Sequence, residues 1–166
     1  MFERTLLCGL AVLSGACASA PLRTAGDGVP KAIMVAPPVT DSGAKDAGRL
    51  YAATLTRPLV EHGYYVFPSS VVSPVLSKLK IDAETPGALA RLDGVFGADA
   101  ILITHVSASP DAIEVSAKLV EVKSGRVLWE GAGSAQGAGP MRDLAELANA
   151  GAFEDLPRGA HHPAQR

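Results

Sequence analysis

The side chains that could do chemistry in this sequence are few, and the two cysteines are the most unusual of them. Cys8 and Cys17 are the only thiols among 166 residues, and both lie close to the amino terminus. A disulfide framework or a cysteine-based zinc site needs cysteines distributed through the fold. Their positions therefore exclude both kinds of site and direct attention to chemistry at the start of the chain.

The residues around Cys17 predict a cleaved signal followed by lipid attachment. Residues 6–12 form an apolar run after a short polar start, and the small residues Gly15 and Ala16 directly precede Cys17. Small side chains before the cleavage point are what a signal peptidase accepts. The arrangement resembles the lipobox of bacterial lipoproteins, with Ser14 at the place where leucine is commonest. The resemblance implies cleavage between Ala16 and Cys17, a diacylglyceryl thioether on the Cys17 sulfur, and acylation of the new amino group by a chain such as palmitate.

Three other interpretations of this segment stay open from the sequence. The uncharged run from Thr5 to Leu22 has about the minimum length of a membrane span, although glycine, serine and proline interrupt it. An ordinary secretory signal cleaved after Ala18 or Ala20 would also fit the small residues. The segment could finally form the first core helix of a protein without any signal. The lipobox pattern favours the lipoprotein over these three.

Lipid attachment divides the chain into four predicted segments. They are a signal peptide (1–16), a tether rich in small residues (17–30), a globular domain (31–136) and a C-terminal helix with a flexible tail (137–166). Several acyl chains anchor a protein stably to a membrane. In proteobacterial lipoproteins an aspartate after the cysteine signals retention in the inner membrane. Ala18 therefore favours the outer membrane, on its periplasmic face or at the cell surface.

The hydrophobic pattern of residues 31–136 predicts an α+β domain. Continuous apolar runs at 31–36 and 99–106 predict buried strands, and strict alternation over 112–123 predicts the first strand of a hairpin. The second strand follows the turn at Gly125.

Helical spacing of apolar side chains predicts the remaining elements. Helices are expected from about Asp46 to Gly63, after a cap at Ser69 or Ser70, and after Thr85, with a short strand at 64–67. The order β-α-β-α-α-β-β-β predicts a mixed β-sheet packed by helices on one side.

Charge and composition exclude several functions. The net charge of −2 provides no basic surplus for phosphates, and the aromatic content of 5% provides no base-stacking platform. We therefore predict no nucleic-acid partner. The sequence contains neither a Gly-x-Ser-x-Gly nucleophile motif nor a Walker loop, and Gly131-Ala132-Gly133 lies within a predicted strand. We predict no enzyme activity, no cofactor and no metal site.

The titratable side chains that remain are interpreted as structural. His62 lies near a predicted helix C-terminus, where a cation interacts favourably with the helix dipole. His105 is predicted at the end of a strand, and Asp99 is expected to cap a turn. His161 and His162 supply two metal ligands without a third, which makes a poor site. A hydrolase stays open as a third function, and it would need titratable groups that converge in a pocket.

The densest aromatic cluster is formed by Tyr64, Tyr65 and Phe67. Alternation along a strand places Tyr64 on the face opposite to Tyr65 and Phe67. Two interpretations follow, namely core packing with one ring facing solvent, or a protein interface at an edge strand, where tyrosine is enriched.

Four stretches together carry a family resemblance that covers residues 29–135. They lie at 30–38 (PKAIMVAPP), 56–68 (TRPLVEHGYYVFP), 96–100 (FGADA) and 119–130 (LVEVKSGRVLWE). With the lipobox, they resemble the bacterial lipoprotein family catalogued as domain of unknown function 799, which includes a meningococcal surface lipoprotein vaccine candidate. The resemblance implies a fold similar to the N-terminal domain of the Tol-system propeller protein. This sequence departs from the family at its C-terminus, where family members continue with an apolar helical segment.

The same resemblance implies a role. Members of the family look like dimeric, non-enzymatic envelope proteins, often encoded beside a channel-forming lipoprotein of the curli-secretion type. We therefore expect a binding or assembly module, anchored through its N-terminal lipid, with an envelope protein partner and a homodimer. The alternative is a periplasmic regulator of a peptidoglycan synthase.

Overall fold

The computed structural model describes residues 29–41, 45–85 and 87–159. Within them, a six-stranded mixed sheet is covered by helices, which confirms the predicted fold class. The strands are β1 (Ala32–Val35), β2 (Val39–Thr40), β3 (Tyr65–Phe67), β4 (Ala100–Ser109), β5 (Ala112–Glu121) and β6 (Val127–Gln136). The helices are α1 (Lys45–Thr54), α2 (Thr56–Glu61), α3 (Ser69–Leu79), a 3-10 helix (Ala88–Leu92) and α4 (Met141–Ala152).

The sheet has the order β3-β1-β4-β5-β6. Strand β2 lies outside this order and pairs with β4, the strand with which β1 also pairs. Strands β1, β2 and β3 run parallel to the strands with which they pair. Helices connect β2 to β3 and β3 to β4, as crossovers between parallel strands require. Strands β4, β5 and β6 form an antiparallel meander. In the sheet formed by the described residues, the outermost strands are therefore β3, which has three residues, and β6, which has ten, while β2 pairs only with β4.

Helices lie on both faces of the sheet, so the prediction that they lie on one side is wrong. Ile33 and Val35 of β1 pack into a core with α1, α2 and α4, whereas Met34 packs on the opposite face with α3 and the 3-10 helix. A parallel strand connected by helices is commonly buried on both sides. The apolar run of β1, which lacks alternation, carries this information.

The predicted helix from Asp46 to Gly63 is two helices, which meet at Leu55. The cause is Pro58, whose ring clashes with the carbonyl group four residues earlier, that of Thr54, where α1 ends. Two other predicted helix starts are wrong. No side chain caps α3, whose N-cap is Pro68, and Thr85 lies in a turn built on Asp82 rather than at a helix start.

The C-terminal part of the chain is packed rather than flexible up to residue 159. The predicted helix from Met141 is present as α4, but Phe153 and Leu156 are then only 1% and 4% exposed, and Phe153 packs against the Trp129 ring. The part of the predicted tail at 153–159 is therefore packed against the domain and not flexible. These two apolar residues are too few to show helical or strand periodicity in the sequence, yet both pack in the core with the sheet and α4.

Candidate functional site

The predicted lipid attachment lies outside the described residues. The structure does not describe residues 1–28, which contain Cys17, the predicted signal peptide (1–16) and nearly all of the predicted tether (17–30). Lipidation of Cys17 therefore stays a prediction. In the part of the chain that the structure describes, no helix is long and apolar enough to cross a membrane.

The structure separates the three aromatic residues at the β3 edge. Tyr64 precedes β3 and is only 3% exposed, and its hydroxyl group donates a hydrogen bond to the backbone oxygen of Pro157. Burial raises its pKa to about 12. Tyr65 is 61% exposed, and Phe67 is half-buried. Of the three, Tyr65 is therefore exposed to a partner, Phe67 is partly exposed and packs against the core on the α3 side, and Tyr64 belongs to the core.

Tyr65 and Phe67 are part of a larger aromatic cluster at this free edge of the sheet. The Tyr65 and Phe67 rings meet edge to face with centroids 5.1 Å apart, and Phe67 stacks on Phe96 at 4.9 Å. These separations are in the favourable range for aromatic pairs. We name Tyr65, Phe67 and Phe96 the aromatic edge.

Sequence reasoning missed Phe96 as a member of this cluster. The helix predicted after Thr85 is a 3-10 helix that ends at Leu92, so Phe96 lies beyond it. Phe96 has a left-handed backbone with φ of 58°, which is rare and costly for a bulky side chain. The sequence signal for this turn is the pair of nearby glycines, Gly94 and Gly97, which also have left-handed backbones.

Residues 157–159, at the C-terminal end of the described chain, hold the residues before β3 in place, and we name them the strap. Beyond the Tyr64 contact, the Gly159 amide donates to the His62 carbonyl at 2.8 Å. A β-carbon at Gly159 would collide with the backbone oxygen of Gly63, so the close approach needs glycine. The strap therefore fixes the turn from which the aromatic edge begins.

The two described histidines make structural contacts. His62 caps the C-terminus of α2, with its Nδ1 2.8 Å from the Pro58 oxygen, as its position near a helix end predicted. His105 lies inside β4 rather than at a strand end, because β4 extends to Ser109. Its Nε2 lies 2.8 Å from Oε1 of Glu84.

His105 also borders a shallow cleft of about 490 Å³, beside Asp41, Ser107 and Glu114, on the face of the sheet that carries α3. A serine nucleophile needs a hydrogen bond to its base. Among the described residues no serine hydroxyl makes one to His105, whose Nε2 instead faces Glu84.

Asp99 also makes structural contacts, and the side chains that could bind a metal are not grouped. The Asp99 carboxylate accepts hydrogen bonds from the amides of Lys31 and Ala32 at 2.7 and 3.2 Å, which joins the start of β1 to the start of β4. Within 29–41, 45–85 and 87–159, no three His, Cys, Asp or Glu side chains are grouped to hold a metal ion.

The fold and this surface define a class of small α+β domain in which a helix-covered mixed sheet presents an aromatic edge. Residues 24–150 match the family described as Putative lipoprotein GNA1162-like, and the chain belongs to that family. This match confirms the expectation of a lipoprotein family, and the label domain of unknown function 799 stays a prediction.

Individual relatives agree with this assignment. The chain is 31% identical over 120 residues to Putative lipoprotein NMB1124/NMB1162 of Neisseria meningitidis serogroup B, with 63% of this chain aligned, and the alignment spans about half (54%) of that relative's length. The crystal structure of lipoprotein GNA1162 from Neisseria meningitidis is similar with a TM-score of 0.53 and 29% identity, over 64% of this chain and 81% of that chain. The PelC dodecamer from Paraburkholderia phytofirmans shares the fold at a TM-score of 0.55 and 17% identity, over 78% of this chain and 88% of that chain.

Proposed function

We propose that this protein is a non-enzymatic binding or assembly module of the cell envelope, anchored to the outer membrane by lipid on Cys17. Membership of a lipoprotein family and the residues around Cys17 support the anchor. The engaged side chains of His62, His105 and Asp99 support a binding role over catalysis.

The observation that carries the binding role is the aromatic edge. Tyr65 exposes a large ring at the unpaired border of a sheet, and large aromatic residues are enriched where proteins meet. Phe96 holds a backbone conformation that costs roughly 1–3 kcal/mol, a kind of strain that concentrates at functional positions. The partner that we propose is an envelope protein, a channel-forming lipoprotein of the curli-secretion type.

A photoreactive benzoylphenylalanine in place of Tyr65 tests this proposal in intact cells. We expect a covalent adduct that mass spectrometry identifies as the channel-forming lipoprotein. The same photoreactive residue at Lys118, which is half-exposed on β5, is the matched control and should give no adduct. An absent adduct at position 65, or equal yields at both positions, contradicts the proposal. Capture of a peptidoglycan synthase would favour the alternative role as a synthase regulator.

A further inference from the structure

One end of the sheet is the end at which the chain enters the domain. The parallel strands β1, β3 and β4 all begin there, since Ala32 pairs with Tyr65 and Ile33 with Ala100. Strand β5 ends there and β6 begins there, after the hairpin turn. The predicted tether (17–30) reaches the domain at this end, so we name it the tether end. It is formed by residues 29–31, 60–65, 97–99 and 122–127.

The tether end carries exposed hydrophobic side chains along its whole width. Four of the eight large hydrophobic side chains that are exposed on the described chain lie here, namely Val29, Val60, Tyr65 and Val127, which are between 42% and 61% exposed. Val60 is among them because α2 ends at Glu61, just before β3. The outer strands β3 and β6 are four strand spacings apart, about 19 Å. The hydrophobic side chains are therefore spread along a row, which suits a broad, flat partner better than a narrow one.

Two exposed lysines accompany these hydrophobic side chains. Lys31 directly precedes β1, and Lys123 lies in the hairpin turn. Among the described residues neither lysine makes an ion pair, because the carboxylates at the strand ends have other partners. Asp99 accepts the backbone amide of Lys31 at 2.7 Å, and Glu121 pairs with Arg126 at 3.8 Å. The two ammonium groups are therefore available to anionic groups outside the domain.

The length of the predicted tether decides which end of the domain a lipid on Cys17 would hold near a membrane. Val29 is twelve residues beyond Cys17, and a fully extended chain of that length spans at most about 40 Å. Strand β4 has ten residues and is therefore about 33 Å long. The opposite end of the domain could face the membrane only if the tether ran back along the strands almost fully extended. The tether end is thus the end that an anchor at Cys17 keeps beside the bilayer.

We propose that the tether end is a lipid-contacting surface, on which the domain stands upright on the phospholipid bilayer. The proposal rests on the proposed anchor at Cys17. The three valines enter the boundary between headgroups and acyl chains, where the apolar area that is buried stabilises binding. Lys31 and Lys123 meet the phosphate groups of the lipids. Because the anchor holds this surface at a high local concentration beside the bilayer, a small apolar area is enough to orient the domain.

An upright domain presents its aromatic edge sideways, along the membrane. Strand β3 is an outermost strand of the sheet, and its length then runs along the membrane normal. Tyr65 lies at the corner between the lipid-contacting surface and the aromatic edge. A partner that is held in the same membrane would therefore meet the aromatic edge without displacing lipid. The exposed acids Glu154 and Asp155 lie between α4 and the strap, outside the row of strand ends.

Fluorescence quenching by lipid tests this proposal on the mature protein in vesicles of phosphatidylethanolamine and phosphatidylglycerol. Val127→Cys and Gln136→Cys each accept one nitrobenzoxadiazole label, at opposite ends of β6, and both positions are exposed. A fraction of the lipid carries a nitroxide quencher in its headgroup. We expect quenching at position 127 to be about threefold stronger or more, because position 136 lies about 30 Å further along the strand. Gln136→Cys is thus the matched control for Val127→Cys.

A second comparison tests the exposed valines themselves. Changing both Val29 and Val60 to aspartate should lower the quenching at position 127 about threefold, because charged side chains do not enter the apolar boundary of the bilayer. The control changes Val39 and Val71 to aspartate, two valines of similar exposure that lie outside the tether end, and should leave the quenching unchanged. Both double variants should keep the same melting temperature.

The outcomes separate this proposal from the proposed anchor. A protein that carries lipid and floats with the vesicles, but is quenched equally at positions 127 and 136 or more strongly at 136, overturns the lipid-contacting surface alone. Quenching that the aspartates at positions 29 and 60 leave unchanged overturns it as well. A protein that carries no lipid on Cys17 and does not float overturns the anchor, and the surface that rests on it falls with it.

Discussion

Two adjacent tyrosines show how much the position of a single residue decides. Alternation along a strand predicts that Tyr64 and Tyr65 face opposite ways, and they do, with exposed fractions of 3% and 61%. The sequence does not show which ring is buried, because both faces of this sheet carry helices. The answer depends on the strap around Pro157, which lies more than 90 residues away along the chain.

Replacement of Tyr64 by phenylalanine should lower the free energy of unfolding by about 1 kcal/mol at neutral pH. The variant loses the hydrogen bond to Pro157 and leaves a half-buried carbonyl group unpaired. Tyr65→Phe is the control, since its ring is largely exposed, and it should leave stability unchanged. Urea denaturation measures both, and equal stability of Tyr64→Phe and wild type would contradict the role of the strap.

The raised pKa of Tyr64 predicts a loss of stability at high pH. A tyrosine in the unfolded chain ionises near pH 10, whereas burial keeps the folded phenol protonated up to about pH 12. The unfolded state therefore binds fewer protons, and the free energy of unfolding falls as the pH rises from 10 to 12. Burial also raises the pKa of Tyr51, so Tyr64→Phe should show a shallower fall and not a flat one. Denaturation across this pH range measures both slopes, and identical slopes would contradict the prediction.

At the scale of elements, the two glycines of β6 explain how α4 sits on the sheet. A β-carbon at Gly131 or Gly133 would collide with a backbone oxygen of α4, at Ala152 and Ala148 respectively. The Gly-Ala-Gly pattern could be recognised in the sequence as lying in a strand, but its purpose could not. That purpose depends on a helix that follows the strand and returns over it.

Replacement of Gly133 by alanine should therefore lower the free energy of unfolding by about 1–3 kcal/mol, because α4 must shift away from β6. Gly139→Ala is the matched control, since a β-carbon at Gly139 meets open space. Thermal unfolding of the two variants measures the difference. A Gly133→Ala protein as stable as the Gly139→Ala protein would contradict the close contact between α4 and β6.

At the scale of the whole molecule, local patterns predicted more than long-range contacts. The strands, the hairpin at Gly125 and helix α4 follow from periodicity and turn residues, so they could be predicted. The burial of Phe153 and Leu156, the position of Phe96 beside Phe67 and the Glu84 contact of His105 could not. Each depends on residues that are distant in the chain and meet only once the sheet has formed.

The central claim is that the domain works from a membrane surface, and the mass of the mature N-terminus tests it most directly. We predict that the protein extracted from membranes begins at Cys17 and carries a diacylglyceryl group and an amide-linked acyl chain. Cys17→Ser should abolish this modification and release the protein from the membrane fraction, whereas Cys8→Ser, in the predicted signal peptide, should change neither. An unmodified N-terminus beyond Cys17, or a Cys17→Ser protein that keeps the acylated mass and the membrane location, would contradict the account.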